Sequence, residues 1–125
     1  MNIEEMGNST IGAAIKVHRV LGPGLLESAY QKCLEYELRK TRLRVECELA
    51  LPVQYESLRI DAGYRIDMLI EGLILIENKA VERLSPIHEA QLLTYLKIKG
   101  CRLGYLLNWN VSILKDGIKR MVINL

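Results

Sequence analysis

Two short runs rich in isoleucine and leucine, Gly63 to Ile70 and Ile74 to Lys79, stand on either side of Glu71-Gly72. Their length suits strands, and the connection between them suits a tight turn. Strand side chains alternate with period two, so Glu77 and Lys79 share one face and Asn78 takes the other. Asp67 lies near the start of the preceding run. Two carboxylates and an amine set into an apolar sheet are costly to bury unless they pair or bind something. A divalent cation would relieve the repulsion between Asp67 and Glu77 and leave Lys79 free to meet a developing negative charge. A plainer reading stands beside that one: Asp67 closes a turn, and Glu77 pairs with Lys79, Arg65 or Arg83.

The 125 residues predict a single domain over residues 1–125. Half of them are hydrophobic, which argues against a disordered chain. No apolar run approaches the ~18 residues of a membrane span. The acidic start, Met1 to Glu5, lacks the positive region of a signal peptide, so a cytoplasmic protein is expected. Cys33, Cys47 and Cys101 are far apart, with no CxxC pair, and are expected to be free thiols rather than zinc ligands. Net charge is +2, but it is unevenly placed: residues 1–78 carry −3 and residues 79–125 carry +5. A basic C-terminal portion suits phosphate contacts and equally suits an ordinary solvated surface.

Apolar spacing predicts a helix from a cap at Asn8, Ser9 or Thr10 to about Leu21, with His18 beside its stripe as a satisfied histidine. Gly22-Pro23-Gly24 ends it, and a second helix is expected from about Leu25 to Lys40. Glu27 falls in its first turn, where the helix dipole favours an anion, and shares a face with Tyr30 and Leu34. It either stabilises that turn or joins Asp67 and Glu77 as a third carboxylate. Leu43 to Glu48 alternates as an edge strand, with Arg44, Glu46 and Glu48 outward, and a small strand follows near Leu58 to Ile60. Ser85-Pro86 opens a helix that runs to Lys99, with Gly100 as its cap. Gln91 and Tyr95 are four apart and face together, so a buried Gln91 needs a partner. Leu103 to Trp109 is a continuous apolar strand, hence central. Trp109 is read as core rather than as a base-stacking platform. Ile118 to Leu125 is the last strand. The order α-α-β-β-β-β-α-β-β predicts a mixed sheet flanked by helices, an α/β (α+β) fold with parallel strands joined by the Ser85–Lys99 crossover.

Gly24-Leu25-Leu26-Glu27-Ser28-Ala29-Tyr30 and Gly63-Tyr64-Arg65-Ile66-Asp67 are two motifs in this order. Glu77-Asn78-Lys79, His88 to Leu96 and Asn108-Trp109-Asn110 continue the series. Together they make the chain resemble the GxxExxY family, small proteins of the PD-(D/E)xK nuclease superfamily. The resemblance runs from about residue 8 to residue 123. It implies a restriction-endonuclease-like core and a metal-dependent nuclease that hydrolyses phosphodiester bonds of nucleic acid, DNA before RNA. It implies Mg²⁺ or Mn²⁺ held by Asp67, Glu77, the backbone carbonyl of Asn78 and Glu27. Lys79 would act on water or charge, with Gln91 at an accessory position. Tyr95 and Tyr30 are support candidates, and Arg65, Arg83 and Lys97 are candidate backbone contacts. Family members usually have an apolar residue where this chain has Asn78, so its amide must find a polar partner on the other face, or solvent. Two alternatives remain open: a nuclease-fold protein that binds nucleic acid or a protein partner without turnover, and a homodimer using exposed helical surface.

Overall fold

Asn2 and Glu5 form a reciprocal cap. The Asn2 side chain accepts from the Glu5 N–H at 2.8 Å, and the Glu5 carboxylate accepts from the Asn2 N–H at 3.1 Å. In the computed structural model, which describes residues 1–125, helix α1 therefore spans Ile3–Leu21, beginning well before the expected Asn8–Thr10 cap. The apolar stripe alone marks a start near Asn8, but the helix extends through polar residues back to Asn2, which caps it. Gly22, with φ 68°, closes α1 by donating to the His18 carbonyl at 2.7 Å. Helix α2 spans Glu27–Lys40, two residues shorter at its start than the expected Leu25. Leu25 is instead tied into the turn, its N–H donating to the Tyr30 hydroxyl at 3.1 Å.

Strands β1 (Val45–Ala50), β2 (Val53–Tyr55), β3 (Leu58–Ile60), β4 (Arg65–Ile70) and β5 (Ile74–Lys79) follow. Helix α3 (Pro86–Lys99), strand β6 (Leu103–Asn108), a 3₁₀ turn at Leu114–Gly117 and strand β7 (Ile118–Val122) complete the chain. The main sheet has the order β1-β4-β5-β6-β7. All its neighbours are antiparallel except β5 and β6, which are parallel and joined through α3 as such a pair requires. The small strand expected near Leu58 is one half of a separate β2–β3 hairpin outside the main sheet. The expected edge position of β1 is found, although the strand is shifted to Val45–Ala50. β7 stops at Val122 rather than Leu125.

At the β4–β5 turn, Glu71 and Gly72 have φ 53° and 67°. Positive φ at both residues fits the tight turn that the Leu73 N–H closes on the Ile70 carbonyl at 2.9 Å, and Glu71, Gly72 and Leu73 together connect the strands in the register Met68↔Ile76, Leu69↔Leu75, Ile70↔Ile74. Period-two alternation then sorts β5 between two cores. Ile74 and Ile76 join the layer under α1 and α2, with Leu34, Leu38, Tyr105 and Trp109. Leu75 joins the layer under α3, with Leu92, Leu96 and Leu106. α3 packs closely because β6 carries Gly104: a Cβ there would lie 3.0 Å from Leu96 and 3.1 Å from the Leu75 carbonyl. No helix is long and apolar enough to cross a membrane.

Candidate active site

The antiparallel ladder between β4 and β5 ends at Met68↔Ile76. The next facing pair in that register is Asp67 and Glu77. Here side chains take over from backbone. The Asp67 N–H donates to Glu77 Oε2 at 2.9 Å, and the Asn78 N–H donates to Asp67 Oδ2 at 2.8 Å. Each carboxylate thus fastens the opposite strand with one oxygen, and no hydrogen bond engages the other. No buried side-chain oxygen or nitrogen lacks a partner, so those second oxygens reach solvent.

The pairings offered by the plainer reading do not occur. The six ion pairs of the chain all lie elsewhere, and none includes Asp67, Glu77 or Lys79. Glu77 is 3 % exposed. Burial, and then the neighbouring Asp67 charge, push its carboxyl from 4.5 up to about 8, despite the hydrogen bond from Asp67. Burial also raises Asp67, partly offset by the Asn78 N–H. Two carboxyl groups facing each other, one buried and one half-buried, cannot both ionise cheaply, so this pair holds a proton near neutral pH.

Lys79 reaches toward α3. Its ammonium donates to Gln91 Oε1 at 3.2 Å, and Gln91 Nε2 lies 3.3 Å from the Tyr95 hydroxyl as donor. The i, i+4 spacing of Gln91 and Tyr95 makes this relay possible. α3 is itself fixed at its start, where the Ser85 N–H donates to His88 Nδ1 at 3.1 Å, giving His88 the part a glutamate plays in a capping box.

Asn78, one residue earlier, answers to the other layer. It is 1 % exposed. Its amide donates to Gln31 Oε1 at 3.0 Å, and its Oδ1 accepts from the Trp109 indole at 2.9 Å. So the polar partner required on the opposite face exists in two copies. Trp109 is fully buried, stacks on Tyr30 at 4.8 Å and 7°, and its carbonyl accepts from His18 Nε2 at 3.1 Å. Tyr30 belongs to this layer and donates to the Gly22 carbonyl at 2.5 Å, clamping the α1–α2 turn rather than touching the carboxylates.

Glu27, the first residue of α2, is exposed and does not meet Asp67 and Glu77 directly. Its Oε1 accepts from the Ala80 N–H at 3.2 Å, beside the end of β5, and its charge contributes to raising Asp67. No group of three His, Cys, Asp or Glu side chains stands close enough to hold a metal ion. Arg65 is exposed and donates to the Glu48 carbonyl at 3.2 Å; Arg83 and Lys97 are exposed. Three contributors escaped the sequence reading. Glu48, with φ 53°, sits opposite Asp67 on β1, and its charge bears on both carboxyls. Asn108 grips the chain after Lys79, accepting from the Val81 N–H at 3.1 Å and donating to the Val81 carbonyl at 2.9 Å. Gln31 is the third. Asn108 had a visible signal, a polar residue ending a run that must be buried; Gln31 and Glu48 had none.

Two carboxylates that share a proton, with a glutamine-held amine on the same strand as one of them, can bind a hard cation and an anionic oxygen together. A family model described as the PD-(D/E)XK nuclease superfamily matches residues 4–121. Neither the curated proteins nor the solved structures compared with the chain gave a match.

Proposed function

The chain belongs to the PD-(D/E)XK nuclease superfamily, and from that membership we propose that it is a divalent-metal-dependent phosphodiesterase acting on nucleic acid, with DNA favoured. The single observation that carries this is the exchange between Asp67 and Glu77, which leaves one solvent-reaching oxygen on each carboxylate beside Lys79. Hard oxygen donors suit Mg²⁺ or Mn²⁺, and Mg²⁺ in particular takes one or two carboxylates and keeps several waters. The donor set therefore fits without a third side chain in contact. Asp67, Glu77 and the Asn78 carbonyl would hold the ion, and Glu27 would add an outer oxygen. Such an ion, when bound, lowers the pKa of water and offsets charge on a phosphate.

The chain's own residues do the remaining work. Lys79 places a positive charge where a phosphoryl oxygen gains negative charge. Gln91 and Tyr95 aim that amine, while Gln31 and Trp109 fix the strand from the far side. Asn108 anchors the chain just beyond it. Membership of the GxxExxY family would add a reason for Glu27 and Tyr30 to fall where they do, one at the end of β5 and one stacked on Trp109.

A labelled panel of single- and double-stranded DNA and RNA, incubated with Mg²⁺ or Mn²⁺, tests the proposal. Metal-dependent cleavage lost in Lys79→Ala is the expected result. Nucleic-acid binding with no cleavage would favour the second reading, a nuclease fold without turnover. One observation favours that reading: no third His, Cys, Asp or Glu side chain joins Asp67 and Glu77 closely enough to complete a metal-binding group.

A further inference from the structure

Beside Gln91 lies a second feature that the cleavage chemistry does not use. A cleft of about 330 Å³ opens between α3 and the segment leading into β4, lined by Leu51, Tyr64, Ile87, Gln91, Thr94 and Tyr95 among others. We propose that this cleft receives one unstacked nucleobase of a single-stranded or frayed substrate, next to the phosphate to be cut. The inference rests on the nuclease reading and deepens it by naming the substrate state.

Four observations carry it. First, the cleft shares a residue with the proposed cleavage site. Gln91 lines it and also holds Lys79, so its wall begins one side chain from the amine assigned to the phosphate. Second, the lining is mostly apolar, as the face of a base requires, with a few polar groups among it. Leu51 and Ile87 are apolar, while the Gln91 amide, the Thr94 hydroxyl and the Tyr95 hydroxyl offer donors and acceptors to a ring edge. Third, two aromatic rings meet there. Tyr64 and Tyr95 stand edge to face at 6.4 Å and 66°. Tyr95 is 8 % exposed, but Tyr64 is 50 % exposed and keeps ring surface that this contact does not cover. Fourth, Tyr64 is anchored: its carbonyl accepts from the Leu51 N–H at 2.8 Å, and β4 begins at the next residue on the way to Asp67. A tyrosine tied by its backbone and left half bare is suited to stacking against a flat partner.

A base still stacked in a duplex could not enter such a cleft, so the subsite selects strands that are single or can fray. Stacking tolerates any base, because each has a π-face. The cleft therefore supports structure selection rather than sequence selection.

The test measures binding with Ca²⁺ in place of Mg²⁺, using fluorescein-labelled oligodeoxythymidylate cut to the shortest length that binds, so that it cannot shift register, and the same oligomer with one abasic residue scanned along it. For the native protein, one abasic position should weaken binding about tenfold, the size expected for one base–aromatic stack. Tyr64→Ala should lose about the same on the intact oligomer and nothing further at that position, a non-additive cycle. Tyr64→Phe should keep native affinity. Thr94→Trp, which fills the cleft from an exposed helical position, should also abolish the abasic effect should Tyr64→Ala fail to fold. A flat abasic scan, or losses that add, overturns the subsite; if metal-dependent cleavage persists, the nuclease reading survives. No binding of any oligomer and no cleavage overturns both.

Discussion

Replacing Glu77 by glutamine should make the metal-free protein more stable in alkali while removing its function. The isosteric amide oxygen can still accept from the Asp67 N–H, so the junction between β4 and β5 is kept. What disappears is the cost of a buried charge. The carboxyl titrates near 8 in the fold and near 4.5 in an unfolded chain. Below 4.5 it is protonated in both states and costs nothing. Between 4.5 and 8 folding must take up a proton, so stability falls by ~1.4 kcal/mol per pH unit, and above 8 the full loss stands. The full loss is about 4–5 kcal/mol, equivalent to a melting shift on the order of 10 °C or more for a domain of this size. Urea denaturation of both proteins in EDTA at pH 5, 7 and 9 provides the assay. Taking the difference between the two curves removes most of the contribution of the other ionisable groups. Glu77→Gln should differ from the native protein by only about 1 kcal/mol or less at pH 5 and exceed it by several kcal/mol at pH 9. A gap that does not change with pH, or that shrinks in alkali, would refute the reasoning.

Divalent metal should act oppositely on the same pair: at pH 8, Mg²⁺ or Mn²⁺ should raise the melting temperature of the native protein and leave Glu77→Gln unmoved, as thermal melts with and without EDTA will show. Gln91→Ala, which frees the Lys79 amine, should lower cleavage ten- to a hundredfold without a comparable change in melting temperature, measured by initial rates and calorimetry. Trp109→Phe should cost about 1–3 kcal/mol by stranding Asn78 Oδ1. It should cost less in an Asn78→Val background, a coupling that urea titrations of the four proteins will measure. Gly117→Ala should destabilise by about 1–3 kcal/mol, because its Cβ would stand 2.2 Å from the Asn108 carbonyl oxygen and push on the residue that grips Val81.

The hairpin carrying Asp67 and Glu77 was legible because its apolar runs, turn residues and alternation all agree. The same alternation correctly separated Asn78 from its neighbours and called for a partner across the sheet. Trp109 as core, His18 as a satisfied histidine and the Gln91–Tyr95 pairing were also legible, since each follows from periodicity within one element. The start of α1 was not, because Asn2 and Glu5 lie outside the apolar stripe that defines the helix. Nor was the identity of Gln31 as the partner of Asn78: the two are far apart in sequence, and only the packing of α2 on β5 joins them. Glu48 reads as an ordinary outward residue, and its influence comes only from the register that sets it opposite Asp67. Glu27 lay open between two readings; the fold seats it at the Ala80 amide, near the carboxylates but not against them.

Successive residues of β5 answer to different masters, Asn78 to the α2 layer and Lys79 to α3. Aim and chemistry are thereby divided between two sides of a single wall. A lineage could rebuild the α3 side to accept other substrates while the Gln31–Trp109 lock kept the reactive groups in place. Conversely, under the proposed function, damage to that lock would blunt every activity the α3 side could acquire while leaving Asp67, Glu77 and Lys79 themselves unchanged.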